Sequence, residues 1–182
     1  VTQSLELLLD DQLDEAVRAQ WRTLQAAGLP SQARHTGTSN APHITLAVAQ
    51  RLPEDVERRI RNHPMNLPVN ITLGGLLLFG RPNGRQVLVR SVVATQELLE
   101  LHAEAARLYE GLEGTDRHLA PGHWTPHVTL AHGLTPDQLA TAVTVLTPVT
   151  ELEGQAVAVR RWDSDRKIAW VLAADTPAAD TD

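Results

Sequence analysis

Two short stretches decide the fold: Pro42-His43-Ile44-Thr45-Leu46-Ala47 and Pro126-His127-Val128-Thr129-Leu130-Ala131. They agree at five of six positions, with Ile against Val as the sixth, and their histidines stand 84 residues apart. Each reads as a strand followed by a helix and then a hairpin. Side chains alternate along a strand, so His43 and Thr45 share one face while Ile44 and Leu46 share the other. His127 and Thr129 stand in the same relation to Val128 and Leu130. Each motif therefore offers an apolar face to a core and a polar face carrying an imidazole beside a hydroxyl. A doubled strand-helix-hairpin unit predicts a bilobal α+β protein with internal pseudo-twofold symmetry.

Working outward, Leu5 to Leu9 reads as a buried strand. Asp10 or Asp11 then caps a helix with Leu13, Ala16, Val17, Trp21 and Leu24 on one face, stopped by Gly28 and Pro30. Residues 31–41 form a polar loop before the first motif. Pro53 opens a helix that runs to about Arg61. Val69 to Phe79 is extended but interrupted by Gly74-Gly75, which predicts a bend or bulge. Pro82-Asn83-Gly84 turns the chain into a second strand, Gln86 to Val93. A helix from Thr95 to about Glu110 and a loop over 111–126 lead to the second motif. Thr135-Pro136-Asp137-Gln138 combines a capping box with a proline at the first helical position, and that helix is expected to bury Leu139, Ala142, Val143 and Leu146. Gln155 to Trp162 and Lys167 to Leu172 form a last hairpin. Residues 1–174 are expected to make a single bilobal domain, with 175–182 a disordered tail.

Composition removes several chemistries. The 182 residues contain no cysteine, so disulfides, thiolate nucleophiles and cysteine-ligated zinc are excluded. Fifteen arginines accompany one lysine, Lys167, and no Walker-type G-x-x-x-x-G-K-[ST] motif occurs. A formal charge of −6 argues against electrostatic binding to long nucleic acid, though not against recognition of one or two phosphates. No wholly apolar run approaches the length of a membrane span, and no export signal pattern is visible. The expectation is a cytoplasmic monomer without membrane contact.

If the pseudo-twofold axis runs between the motif strands, two His/Thr pairs converge on one cleft. Two imidazoles can serve as general acid and general base on opposite sides of a phosphorus centre. Two threonine hydroxyls can hold its non-bridging oxygens. The paired H-x-T-L segments, and the run from Trp124 to Ala131, resemble the 2H phosphoesterase superfamily, in particular its 2′-5′ RNA ligase-like and RNA 2′,3′-cyclic phosphodiesterase branch. That resemblance covers essentially the whole chain. It implies two antiparallel sheets with flanking helices around a central cleft, and metal-independent opening of a 2′,3′-cyclic phosphate to a 2′-phosphate. RNA ends or small cyclic nucleotides would be the substrates, with no cofactor and no metal. His43 would be the proton donor, His127 the proton acceptor, and Thr45 and Thr129 the phosphate ligands. Many relatives carry Arg or Lys soon after the second motif, where this chain has His132.

Other residues invite roles. His132, Trp124 and Arg34 are candidate substrate ligands; Trp124 could stack on a base or fill the gap between lobes. Arg81, Arg85 and His35 could add positive charge. His123 and His127 have the spacing of a helical metal pair, but Pro126 lies between them and strand follows. His102 falls on the apolar face of its helix and reads as a core residue. Two further activities stay open: 2′-5′ joining of RNA ends, and nucleotide or RNA-end binding without turnover. A metallohydrolase is a third alternative.

Overall fold

The computed structural model describes residues 2–63 and 65–175. Its elements run β1 (Gln3–Leu9), α1 (Asp11–Ala26), β2 (His43–Ala49), α2 (Glu54–Asn62), β3 (Val69–Gly80), β4 (Gln86–Val92), α3 (Gln96–Leu108), β5 (His127–Leu134), α4 (Pro136–Leu146), β6 (Leu152–Asp163) and β7 (Ile168–Ala174). The caps anticipated at Asp10 and at Thr135 are in place, and Thr95 supplies a further one. The Asp10 carboxylate accepts from the Leu13 amide at 2.8 Å, the Thr95 hydroxyl from Leu98, and Thr135 with Gln138 forms the full capping box. Asp10 also accepts from the Gln155 amide at 2.5 Å, which ties the start of α1 to β6. Gly154 permits that approach: a Cβ there would stand 2.6 Å from both the Asp10 carboxylate and Leu13.

All strand pairings are antiparallel. One limb is β2-β1-β6-β7 and the other is β5-β4-β3. They join where the first part of β3 pairs with the first part of β6, and again at one residue pair, Ile44 with Val128. The two sheets expected from the family resemblance are thus limbs of one continuous seven-stranded sheet. The pairings respect the repeat. β1 lies between β2 and β6 as β4 lies between β5 and β3, while β7 is an added edge with no counterpart. The bulge predicted at Gly74-Gly75 appears as a register shift between Leu73 and Leu76. Arg90 exploits it, donating to the Gly74, Leu73 and Thr150 carbonyls at 2.7, 3.1 and 2.6 Å while almost wholly buried.

The helices cover the apolar side of the sheet. Leu13, Val17, Trp21 and Leu24 of α1, and Leu98, Leu101 and Ala105 of α3, bury against Leu5, Leu7, Ile44, Leu46, Val128 and Leu130. Two expectations are corrected. Val143 is an exposed residue of α4, whose only buried position is Ala142; this short helix packs on α1, β4 and β5 through a narrow stripe. The last hairpin begins at Leu152 rather than Gln155. Beyond Asp175, the expected tail lies outside the described residues. Among the described residues no helix is long and apolar enough to cross a membrane.

Candidate active site

The motif strands meet at the Ile44–Val128 pair. One step along an antiparallel register in each direction sets His43 across from Thr129 and Thr45 across from His127. Because Ile44 and Val128 point into the core at zero exposure, these four polar side chains share the opposite face. The two remaining motif positions have a structural use that alternation does not reveal. On β2 the register slips between Thr45 and Ala47 against β1, and on β5 between Thr129 and Ala131 against β4. Each slip is a one-residue bulge, so Leu46-Ala47 and Leu130-Ala131 are buried as consecutive pairs. The bulge also returns the third residue after each threonine, Val48 or His132, to the polar face.

Both motif histidines are fixed alike. His43 Nδ1 lies 2.8 Å from the Ala41 carbonyl and His127 Nδ1 lies 2.7 Å from the Thr125 carbonyl. A carbonyl only accepts, so each Nδ1 donates and carries the proton. Each Nε2 is left to lose or deliver one. The strands beneath are braced across the seam by indoles. Trp21 of α1 donates through Nε1 to the Thr129 carbonyl at 2.9 Å, and Trp124 donates to the Thr45 carbonyl at 3.0 Å. Trp124 also stacks on His102, with ring centroids 3.9 Å apart and planes 4° from parallel. Of its two anticipated uses, Trp124 has the gap-filling one.

The surroundings break the symmetry. The Glu6 carboxylate, on β1 directly across from Thr45, lies 3.6 Å from His43 Nε2. It accepts from Ser4 Oγ at 2.6 Å and from Arg160 Nε at 2.8 Å, and Arg160 also donates to the Ser39 carbonyl at 2.9 Å. Burial alone would raise the Glu6 pKa. His43 and Arg160, with the hydrogen bonds from Ser4 and Arg160, outweigh that and hold it below the usual carboxylate range. No carboxylate among the described residues is within salt-bridge distance of His127, which instead packs on Phe79 with ring centroids 4.8 Å apart. Burial pushes the His127 pKa down; its bond to Thr125 opposes this and the nearby His43 charge adds to it. The two imidazoles are therefore electrostatic neighbours in different settings.

His132 stays exposed. Its partial desolvation, then the charges of Arg81, His35, His127 and His43, lower its pKa. At neutral pH it offers an uncharged imidazole. Arg34 lines a cavity of about 660 Å³ with Glu6, His35, His43, Arg160, Trp162 and Lys167. His123 sits in a turn before β5, so its spacing from His127 is not helical. Among the described residues no cluster of three or more metal-type side chains occurs. His102 is buried as expected, bonded through Nε2 to the Leu119 carbonyl at 2.9 Å. Glu6, Arg160 and Trp162 were not singled out by the sequence as site residues. A charged residue within an apolar strand was the available signal for Glu6.

A bilobal antiparallel sheet with two His-x-Thr pairs facing one another across its seam defines a class of paired-histidine proteins. The sequence profile of the 2′-5′ RNA ligase superfamily matches residues 12–167, and the chain belongs to that superfamily, the 2H phosphoesterases. No curated protein matches it significantly. Solved structures share its fold at low identity. Usb1 of Kluyveromyces marxianus is 14% identical with a TM-score of 0.54, over 94% of this chain and 97% of that one. The Thermus thermophilus protein TT0787 is 18% identical with a TM-score of 0.57, over 95% and 96%. LigT of E. coli, solved with NADP+, is 16% identical with a TM-score of 0.50, over 96% and 94%. The Usb1 protein has also been solved with uridine monophosphate.

Proposed function

We propose that this 2H phosphoesterase opens nucleoside or RNA-end 2′,3′-cyclic phosphates to 2′-phosphates without a metal. The reading rests on one observation above all. Both motif histidines give Nδ1 to a backbone carbonyl two residues earlier, so both keep Nε2 for proton transfer beside a threonine of the opposite strand.

His127 takes a proton from water as the water oxygen bonds to phosphorus. The bond from phosphorus to the ribose 3′-oxygen breaks, and His43 delivers its Nε2 proton to that oxygen. One water is added, and the two imidazoles exchange protonation states through solvent before the next turnover. Thr45 and Thr129 donate to the non-bridging oxygens as charge builds there. The acid role falls to His43 because the Glu6 carboxylate faces its Nε2. The base role falls to His127 because burial favours its neutral form. Nucleotides bound by Usb1 and LigT are of the ligand class that the cavity beside His43 could hold.

The test is turnover of a nucleoside 2′,3′-cyclic phosphate in EDTA, with product regiochemistry resolved. The 2′-phosphate should be the sole product, and His43→Ala or His127→Ala should each lower kcat by about a hundredfold or more. Undiminished activity in both variants would refute the mechanism. Supplying a 5′-hydroxyl RNA end in the same assay detects the joining reaction.

A further inference from the structure

Lys167 is the only lysine of the chain, beside fifteen arginines. It is also the only non-glycine with positive φ among the described residues, at 55°, in the loop between β6 and β7. That conformation favours glycine, and a lysine kept there points to a use for its side chain. Lys167 lines the cavity of about 660 Å³ that reaches His43. No carboxylate among the described residues pairs with it. Arg34 and His35 line the same cavity. Its one acid, Glu6, is already held by Arg160 at 2.8 Å and faces His43. The cavity is therefore a cation-rich pocket in a chain of net charge −6.

We propose that this cavity is a second phosphate subsite, anchored by Lys167 and assisted by Arg34 and His35, which receives the 5′-phosphate of the reacting nucleotide. This rests on the assignment of His43 as the acid. The departing 3′-oxygen must lie beside the acid, so the ribose that carries it, and the 5′-phosphate of that ribose, lie on the His43 side. Trp162 on β6 supplies an aromatic wall to the same cavity. The favoured substrate is then a cyclic-phosphate end that bears a 5′-phosphate or continues into an RNA chain, rather than a 5′-hydroxyl nucleoside.

The test compares adenosine 2′,3′-cyclic phosphate with its 5′-phosphorylated form in the wild type and in Lys167→Gly. It also measures binding of adenosine 2′-phosphate and adenosine 2′,5′-bisphosphate by calorimetry. The wild type should favour the 5′-phosphorylated partner of each pair by about tenfold, the worth of one charge-assisted contact. In Lys167→Gly that ratio should fall towards one while the melting temperature rises, because glycine relieves the strained φ. Lys167→Arg should keep most of the ratio. An equal ratio in the wild type, or an unchanged ratio in Lys167→Gly, overturns the subsite. Absent turnover with Lys167-dependent bisphosphate binding would instead overturn the proposed reaction and leave the subsite standing. A gain in thermal stability rules out misfolding as the source of the lost preference.

Discussion

The indole braces lead to a quantitative prediction. Trp21 and Trp124 each donate to the carbonyl of a motif threonine on the other repeat, at 2.9 and 3.0 Å. Replacement by phenylalanine keeps an aromatic ring and removes the donor. A buried carbonyl left without a partner costs about 1–3 kcal/mol, and the smaller ring adds about 1 kcal/mol of lost packing. The loss should be at least about 2 kcal/mol, a fall in Tm of about 4–8 °C for a chain of this size. The seam has only one backbone residue pair, so the braces also set where each threonine and histidine sits. A displacement well under 1 Å at such groups lowers kcat by about tenfold or more. The control is Trp170→Phe, which removes an indole donor to Glu57 at 3.0 Å, away from the seam. All three variants should lose stability in urea titration, but only Trp21→Phe and Trp124→Phe should lose kcat. If all three leave kcat equally intact, the indoles merely fill space and the positioning argument is wrong.

Three further outcomes follow from the electrostatics. Burial against Phe79 lowers the His127 pKa, so the acidic limb of the kcat/KM profile should lie below the ordinary histidine value of 6.5; Phe79→Ala should move it upward. Burial likewise lowers the His102 pKa from 6.5, against the opposing carbonyl bonds from Leu119 and Leu46. Its folded form is neutral, so its contribution to stability is complete above pH 6.5 and is lost as pH falls through the depressed folded value. That part of the slope should vanish from the urea midpoints of His102→Gln between pH 7 and pH 5. Glu6→Gln leaves Arg160 buried without its counter-charge and should cost about 3 kcal/mol in denaturant titration, with kcat reduced as well. An unchanged midpoint would show that Ser39 and water satisfy Arg160 without the carboxylate.

Much of the site was legible because strand alternation is local. The H-x-T spacing alone places His43 with Thr45 and His127 with Thr129, and the repeat sets the two pairs in matching strands. Asp10 and Thr135 announced two helix starts through cap chemistry that acts within one turn. What escaped was long-range or against the pattern. The bulges that bury Leu46 with Ala47, and Leu130 with Ala131, depend on the facing strands β1 and β4, so alternation along one strand does not report them. The indole contacts join residues 79 and 108 positions apart, which no periodicity reports. Glu6 was hidden in an apolar run because Leu5, Leu7, Leu8 and Leu9 dominate its reading as a buried strand. Its significance emerges only when Arg160 pairs with it from β6.

A motif repeated so closely cannot by itself separate an acid from a base. Two histidines on matching strands, each tied to a carbonyl through Nδ1, would perform either task equally. The difference has to come from the strands that flank them. Across from Thr45, β1 supplies Glu6; across from Thr129, β4 supplies the buried apolar residue Val89. Beyond these, β6 brings Arg160 to hold the carboxylate ionised in the interior, whereas β3 brings Phe79 against His127. A fixed carboxylate beside Nε2 marks out His43 by geometry, and burial favours the neutral form of His127 that a base requires. The proposed direction of the reaction is thus set by residues outside the repeated motif. Divergence of β1 from β4 and of β6 from β3 can make two equivalent histidines unequal while the phosphate-holding threonines stay alike.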